Sequence, residues 1–195
     1  MAGERRIILD AAAREFAEVG LNEAGLESIA SRAGLEPGVA RALFVDKPTL
    51  LRELLKEATD PLVSGIALAV EELEDSREVV RKSLQLYDQW LLDHQDIVRI
   101  MIRCALEGPE WLQELYQKSL LPSEFYDHLQ QLINQGRLRC KDLFILSLLF
   151  DSLIMFPHMM RSAVELMEPE QGAEAMMQAR FNAMIDLFEN GLYED

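Results

Sequence analysis

Basic residues are scarce in this 195-residue chain: 19 Lys and Arg stand against 34 Asp and Glu, a formal net charge of −15. No basic patch interrupts that balance, which excludes a protein that grips polyanions through bulk charge. Cysteine is nearly absent as well. Cys104 and Cys140 allow one disulfide by arithmetic, but two thiols build no secreted framework. The three histidines, His94, His128 and His158, keep no metal-type spacing with the cysteines. Asp88, Asp93 and Asp96 around His94 read as a solvated helix edge. There is no phosphate-cradling glycine loop and no nucleophile elbow. An enzyme is therefore not expected, nor a catalytic residue, a metal or a cofactor.

Long unbroken apolar runs are missing too. Leu143 to Met160 approaches the length of a membrane span, but Ser147, Asp151, Ser152, Pro157 and His158 interrupt it. A buried or interfacial helix fits better, and no membrane partner is expected. No cleavable signal precedes Glu4-Arg5-Arg6, so a cytoplasmic protein is expected. Aromatic residues make up 7% of the chain. With Val and Ile also modest and Leu, Ala, Glu, Gln and Met common, the composition favours helix over sheet. The fold class is all-α.

What is present is helical punctuation. Ile8, Leu9, Ala12, Ala13 and Phe16 form one apolar stripe in a helix from about Glu4 to Val19, stopped by Gly20. A second helix covers about Leu26 to Ala33, and Gly34 supplies a tight turn into a short third helix, Pro37 to Leu43. Asp46 caps a fourth, running to about Leu73, which Pro61 should bend or divide. Ser76 can cap a helix through Leu92, and another runs from Gln95 to Leu106. Gly108-Pro109-Glu110 and Leu121-Pro122-Ser123 then restart the chain. A helix through Phe125 and Leu129 ends at Gly136, Asp142 opens one to about Val164, and Pro169 begins the last. About nine helices result.

Three blocks near the start carry a further signal: Ile8 to Gly20, Ile29-Ala30-Ser31-Arg32-Ala33-Gly34-Leu35, and Phe44-Val45-Asp46-Lys47. In that order and spacing they resemble the N-terminal helix-turn-helix of the TetR family of bacterial regulators. Gly136-Arg137-Leu138-Arg139 before a long apolar helix is a weaker second match. The resemblance implies a helix-turn-helix domain at 1–50 and a ligand-binding and dimerisation domain at 51–195. The first segment is near neutral, with 6 Lys and Arg against 8 Asp and Glu.

By that resemblance, DNA contact falls to Arg32, Glu36, Pro37, Gly38, Val39, Arg41 and Lys47, with Arg5 and Arg6 assisting on phosphate. Ala24-Gly25 replace a hydroxyl pair, Glu36 a serine, Val39 a threonine, Arg41 a tyrosine and Leu43 a histidine or tyrosine. Arg41 can strengthen the grip, through phosphate or guanine; the others remove hydroxyls. Three functions stay open: a ligand-responsive homodimeric regulator on double-stranded operator DNA, repressing until a small apolar effector binds; a small-molecule or lipid binder of the same fold without DNA recognition; or a plain dimerising adaptor for another protein. Trp90, His94, Met101, Cys104, Trp111, Phe125, Phe150 and Ile154 are candidate pocket residues. Met155, Met159, Met177, Phe181, Met184 and Phe188 are candidates for a two-fold interface. Asp151, a carboxylate amid apolar residues, joins them: it could orient a ligand, pair with an Arg across the interface, or face solvent.

Overall fold

The computed structural model describes residues 2–107, 122–161, 163, 166 and 172–194. Among the described residues the chain is helical, in nine elements: α1 (Ala2–Val19), α2 (Leu26–Arg32), α3 (Pro37–Leu43), α4 (Lys47–Glu72), α5 (Ser76–Asp93), α6 (Gln95–Glu107), α7 (Ser123–Asn134), α8 (Leu143–Met159) and α9 (Ala173–Gly191). The restarts expected at Gly108-Pro109-Glu110 and Leu121, and the helix start at Pro169, lie outside the described residues.

Packing divides the chain into two compact units, Met1–Pro61 with His94–Ser119, and Leu62–Asp93 with Leu120–Asp195. The division falls inside α4 at Pro61, a different line from a functional boundary at residue 50. In the first unit α1 packs on α2 and α6, and α2 on α3. Its core holds Ile8, Ala12, Phe16, Ile29, Ala30, Ala40, Phe44 and Leu50, all buried. In the second unit α8 packs on α5 and α7, and α9 on α5 and α8. There Leu84, Tyr87, Leu91, Phe125, Leu129, Leu146, Phe150 and Ile154 are buried.

Two expected boundaries are corrected. Pro61 does not divide α4, which continues through it. A proline removes its own donor, but continued packing can outweigh that loss: Leu54, Leu55, Leu62 and Ile66 are buried on either side. The cap of α5 is Asp75, not Ser76: its carboxylate accepts the backbone N–H of Arg77 at 2.7 Å and of Glu78 at 3.2 Å, while Ser76 is buried. Asp142 caps α8 as expected, accepting from Ile145 N–H at 3.0 Å.

The Gly136 turn closes the second unit. Leu138 forms an antiparallel bridge with Tyr193, through Arg139 N–H to Leu192 O at 2.8 Å and Glu194 N–H to Arg137 O at 2.8 Å. The buried Tyr193 hydroxyl donates to Ser76 O at 3.2 Å, and burial pushes its pKa up to about 12.

Candidate nucleic-acid interface

The turn between α2 and α3 is built by backbone chemistry. Gly34, at φ +70°, donates to Ser31 O at 3.0 Å while Leu35 N–H reaches Ala30 O at 2.9 Å, which satisfies the last carbonyls of α2. At its start, Gly25 has no side chain to cap with. Ser28 substitutes: its hydroxyl accepts from Gly25 N–H at 3.1 Å and donates to Gly25 O at 2.9 Å. Ala24 is buried, so that position packs rather than faces a ligand. On α3, Glu36, Pro37, Gly38, Arg41 and Ala42 are exposed, Val39 and Leu43 are half-buried, and Ala40 faces the core. The outward face is thus small, with one anion, Glu36, and one cation, Arg41.

The cations expected to hold phosphate all have internal partners. Arg32 donates through Nε to Glu15 at 2.6 Å and through a terminal nitrogen to Glu18 at 2.7 Å. The hydrogen bond to Glu18, then that to Glu15, raises its already high pKa. Lys47 donates to Leu21 O, to Ala24 O at 3.0 Å and more weakly to Asn22 O at 3.4 Å, so its three protons are engaged by one turn of backbone. Arg41 pairs with Glu27 of α2, Arg5 with Glu53, and Arg6 with Glu57 at 2.5 Å and Asp10 at 3.1 Å. These links staple α1, α2 and α4 together; sequence spacing could not show them because the partners lie 14 to 51 positions apart, apart from Asp10.

The candidate pocket residues fall in both units. Trp90, Phe125, Phe150 and Ile154 are buried in the second, where the Phe125 and Phe150 rings lie 6.3 Å apart. Met101 and Cys104 are buried in the first, and His94 there is half-buried. Burial pushes the Cys104 thiol up to about 11, which makes it an inert core group. Trp111 lies outside the described residues. A separate groove of about 420 Å³ is lined by Arg81, Gln85, Gln178, Phe181, Asn182, Ile185, Asp186 and Glu189, none of them a candidate pocket residue.

Four of the interface candidates lie on α9. Met177, Phe181, Met184 and Phe188 are buried in their own chain, and the Phe188 ring meets that of Phe150 edge-on with centroids 4.8 Å apart. Among the described residues, α8 carries an exposed apolar face, where Phe144 is 69% and Phe156 58% exposed, with Ile145, Leu148, Leu149, Leu153 and Met159 also exposed. Asp151 and half-buried Met155 lie on this helix. Asp151 is itself exposed, yet partial burial of its carboxylate raises the pKa.

A polar cluster escaped the sequence reading. Asp88, expected at a solvated edge, is buried; its carboxylate receives His158 Nε2 at 2.9 Å and the Arg180 guanidinium. Arg180 also donates to Leu153 O at 3.0 Å. The only signal was an Asp at helical spacing from Leu84 and Leu91, on a stripe otherwise apolar. Among the described residues, no group of His, Cys, Asp and Glu could hold a metal ion, and no helix is long and apolar enough to cross a membrane.

Comparison with known proteins adds to this geometry. Residues 8–54 match the family model described as bacterial regulatory proteins, tetR family. The HTH-type transcriptional activator FasR of Mycolicibacterium smegmatis is 32% identical over 80 residues, 41% of this chain and 36% of that protein. The chain thus matches only about a third of that relative's length. A TetR family transcription regulator from Marinobacter aquaeolei VT8 superposes with a TM-score of 0.73 at 18% identity, covering 98% of this chain and 96% of that one. The fatty acid degradation regulator FadR from Bacillus halodurans gives 0.69 at 16% identity, covering 92% and 97%.

Proposed function

We propose that this chain, whose N-terminal region belongs to the bacterial tetR regulatory family and whose fold is that of the family's transcriptional regulators, is a homodimeric DNA-binding regulator that responds to a small apolar ligand. The observation that carries the reading is α3 itself. It stands behind a Gly34 turn with Gly38, Arg41 and Ala42 exposed, a rod narrow enough to enter a major groove. Residues 1–50 serve as the DNA-facing part and 51–195 as the ligand and dimer part.

Dimerisation uses the exposed α8 face, since an apolar patch of this kind marks an interaction surface. Two-fold pairing would set two α3 helices on successive grooves, about 34–36 Å apart. The effector is an apolar molecule entering the second unit around Phe125, Phe150 and Ile154; the fatty-acid regulator among the structural neighbours makes an acyl chain the first class to try. Binding preferentially to one head spacing changes operator affinity by the ratio of the two affinities. Repression released by the effector is the direction the family resemblance suggests, although the relative from Mycolicibacterium smegmatis is named an activator.

Fluorescence anisotropy with duplexes from the gene's own upstream region tests the reading. Sequence-selective binding that an acyl ligand alters is expected; no selective binding in either ligand state rejects it. The engaged cations favour a second reading, a ligand binder of this fold without DNA recognition, because phosphate contact requires breaking or sharing internal ion pairs. Co-purified apolar ligand together with absent DNA affinity would select it.

A further inference from the structure

The exposed stripe of α3 has an uneven chemistry. Gly38, Arg41 and Ala42 stand at i, i+3 and i+4, so they share one helix face, and all three are exposed. Arg41 alone among them can hydrogen-bond through its side chain. Its side chain is 67% exposed and pairs with Glu27 of α2, itself 55% exposed. Gly38 presents bare backbone, with nothing within 4 Å of where a Cβ would stand. Ala42 presents one methyl.

Resting on the reading of the chain as a DNA binder, we propose that each head reads a guanine beside a thymine: Arg41 takes the guanine O6 and N7, and the Ala42 methyl packs on the thymine C5-methyl. Guanine is the base whose major-groove edge offers two acceptors to a single guanidinium fork; adenine places a donor where O6 would be. Five donors allow Arg41 to keep Glu27 while giving two to the base. Glu27 is a positioning residue. It holds the guanidinium against α2, and its own charge discourages a swing toward phosphate. Thymine alone offers a methyl in the major groove, the one apolar group there for the Ala42 methyl to pack on. The absence of bulk at Gly38 lets the helix approach closely enough for a methyl to touch a methyl.

Enrichment of a random duplex library on the full chain, followed by remaking the recovered site with single-atom changes, tests this. Uracil in place of thymine deletes only the methyl, and 7-deazaguanine deletes only N7. A half-site with a fixed guanine is expected. Uracil at the adjacent thymine should weaken binding about fourfold, and 7-deazaguanine roughly tenfold. Arg41→Ala should erase preference at the guanine alone. Glu27→Gln should relax that preference without moving the melting temperature, which a merely structural pair would not do. A recovered site lacking guanine, or one indifferent to uracil throughout, overturns the proposal and leaves DNA binding standing. A library from which nothing is enriched, with or without an acyl ligand, overturns both.

Discussion

The Arg103 guanidinium occupies the space that a side chain at Gly20 would need: a Cβ built there would meet a terminal nitrogen at 2.6 Å. Gly20 is also at φ +91°, and Arg103 donates to Glu18 O at 3.3 Å, so α6 closes the open end of α1 over a residue without bulk. Gly20→Ala should cost about 1–2 kcal/mol from backbone conformation and in addition displace the guanidinium. Gly34→Ala carries only the conformational cost, because nothing lies within 4 Å of that site. Urea unfolding should therefore rank Gly20→Ala as the worse of the two. Adding Arg103→Ala should close most of the gap, because both atoms that a Cβ at Gly20 would meet belong to that guanidinium.

Lys47 illustrates how a residue that looks like a phosphate ligand acts inside the fold. Removing its ammonium leaves the carbonyls of Leu21 and Ala24 without their donor. Lys47→Ala should lose about 1–3 kcal/mol, read as a lower melting temperature without any DNA present. Unchanged stability with weakened DNA binding would return Lys47 to the phosphate role.

How much of this was legible follows from the range of the interactions. The caps at Asp46 and Asp142, the turn glycines Gly20, Gly34 and Gly136, and the stripe Ile8–Ala12–Phe16 depend on neighbours within about one turn, so spacing reveals them. The partners of Arg32 and Lys47 arrive from other helices, so charge alone suggested a free cation. The Met and Phe residues of α9 are ambiguous for a related reason. An apolar stripe says that a helix face is covered, not whether its own chain or a second copy covers it. On α8 nearly every face is apolar, and only the packing of Leu146, Phe150 and Ile154 inward shows which side is left.

Asp88 and Arg180 bind α5 to α9 inside the second unit. Arg180→Met leaves a buried carboxylate with His158 as its remaining partner. The expected loss is about 3–5 kcal/mol. Replacing all three with Asp88→Leu, His158→Leu and Arg180→Met should cost less than the single change, since it removes the need for pairing. The imidazole Nδ1 and the Arg180 Nε are buried without hydrogen-bond partners among the described residues, which strengthens that expectation. Chemical denaturation of both variants decides; a triple variant weaker than the single one would contradict it.

The pH dependence should separate two kinds of aspartate. At Asp46 the Thr49 hydroxyl and then its N–H lower the pKa; at Asp75 the N–H groups of Glu78 and Arg77 do so. A depressed folded pKa gives stability that is present above the unfolded value, about 3.9, and lost as pH falls through the folded one. Burial raises Asp151, so its contribution has the opposite sign: present below the unfolded value and lost as pH rises through the folded one. Melting curves should show Asp46→Asn/Asp75→Asn less stable than the parent at neutral pH, with the gap closing in acid. Asp151→Asn should be more stable at neutral pH, and its advantage should also vanish in acid.

The assembly proposal turns on which helix face is free. Leu148 is 47% exposed on α8, whereas Met184 is 4% exposed on α9. A charge at a solvent-facing position disturbs the folded chain little, but at the centre of an interface it must be desolvated without a partner. Leu148→Asp should therefore sediment as a monomer at micromolar concentration while keeping its helical signal. Met184→Ala should lose about 2–5 kcal/mol yet remain paired for as long as it stays folded. The reverse pattern, a dimeric Leu148→Asp and a dissociated but fully stable Met184→Ala, would move the interface to α9 and require that helix to turn its Met and Phe side chains outward. In that event the packing of Phe188 against Phe150 could not survive pairing, and near-ultraviolet circular dichroism would register its loss.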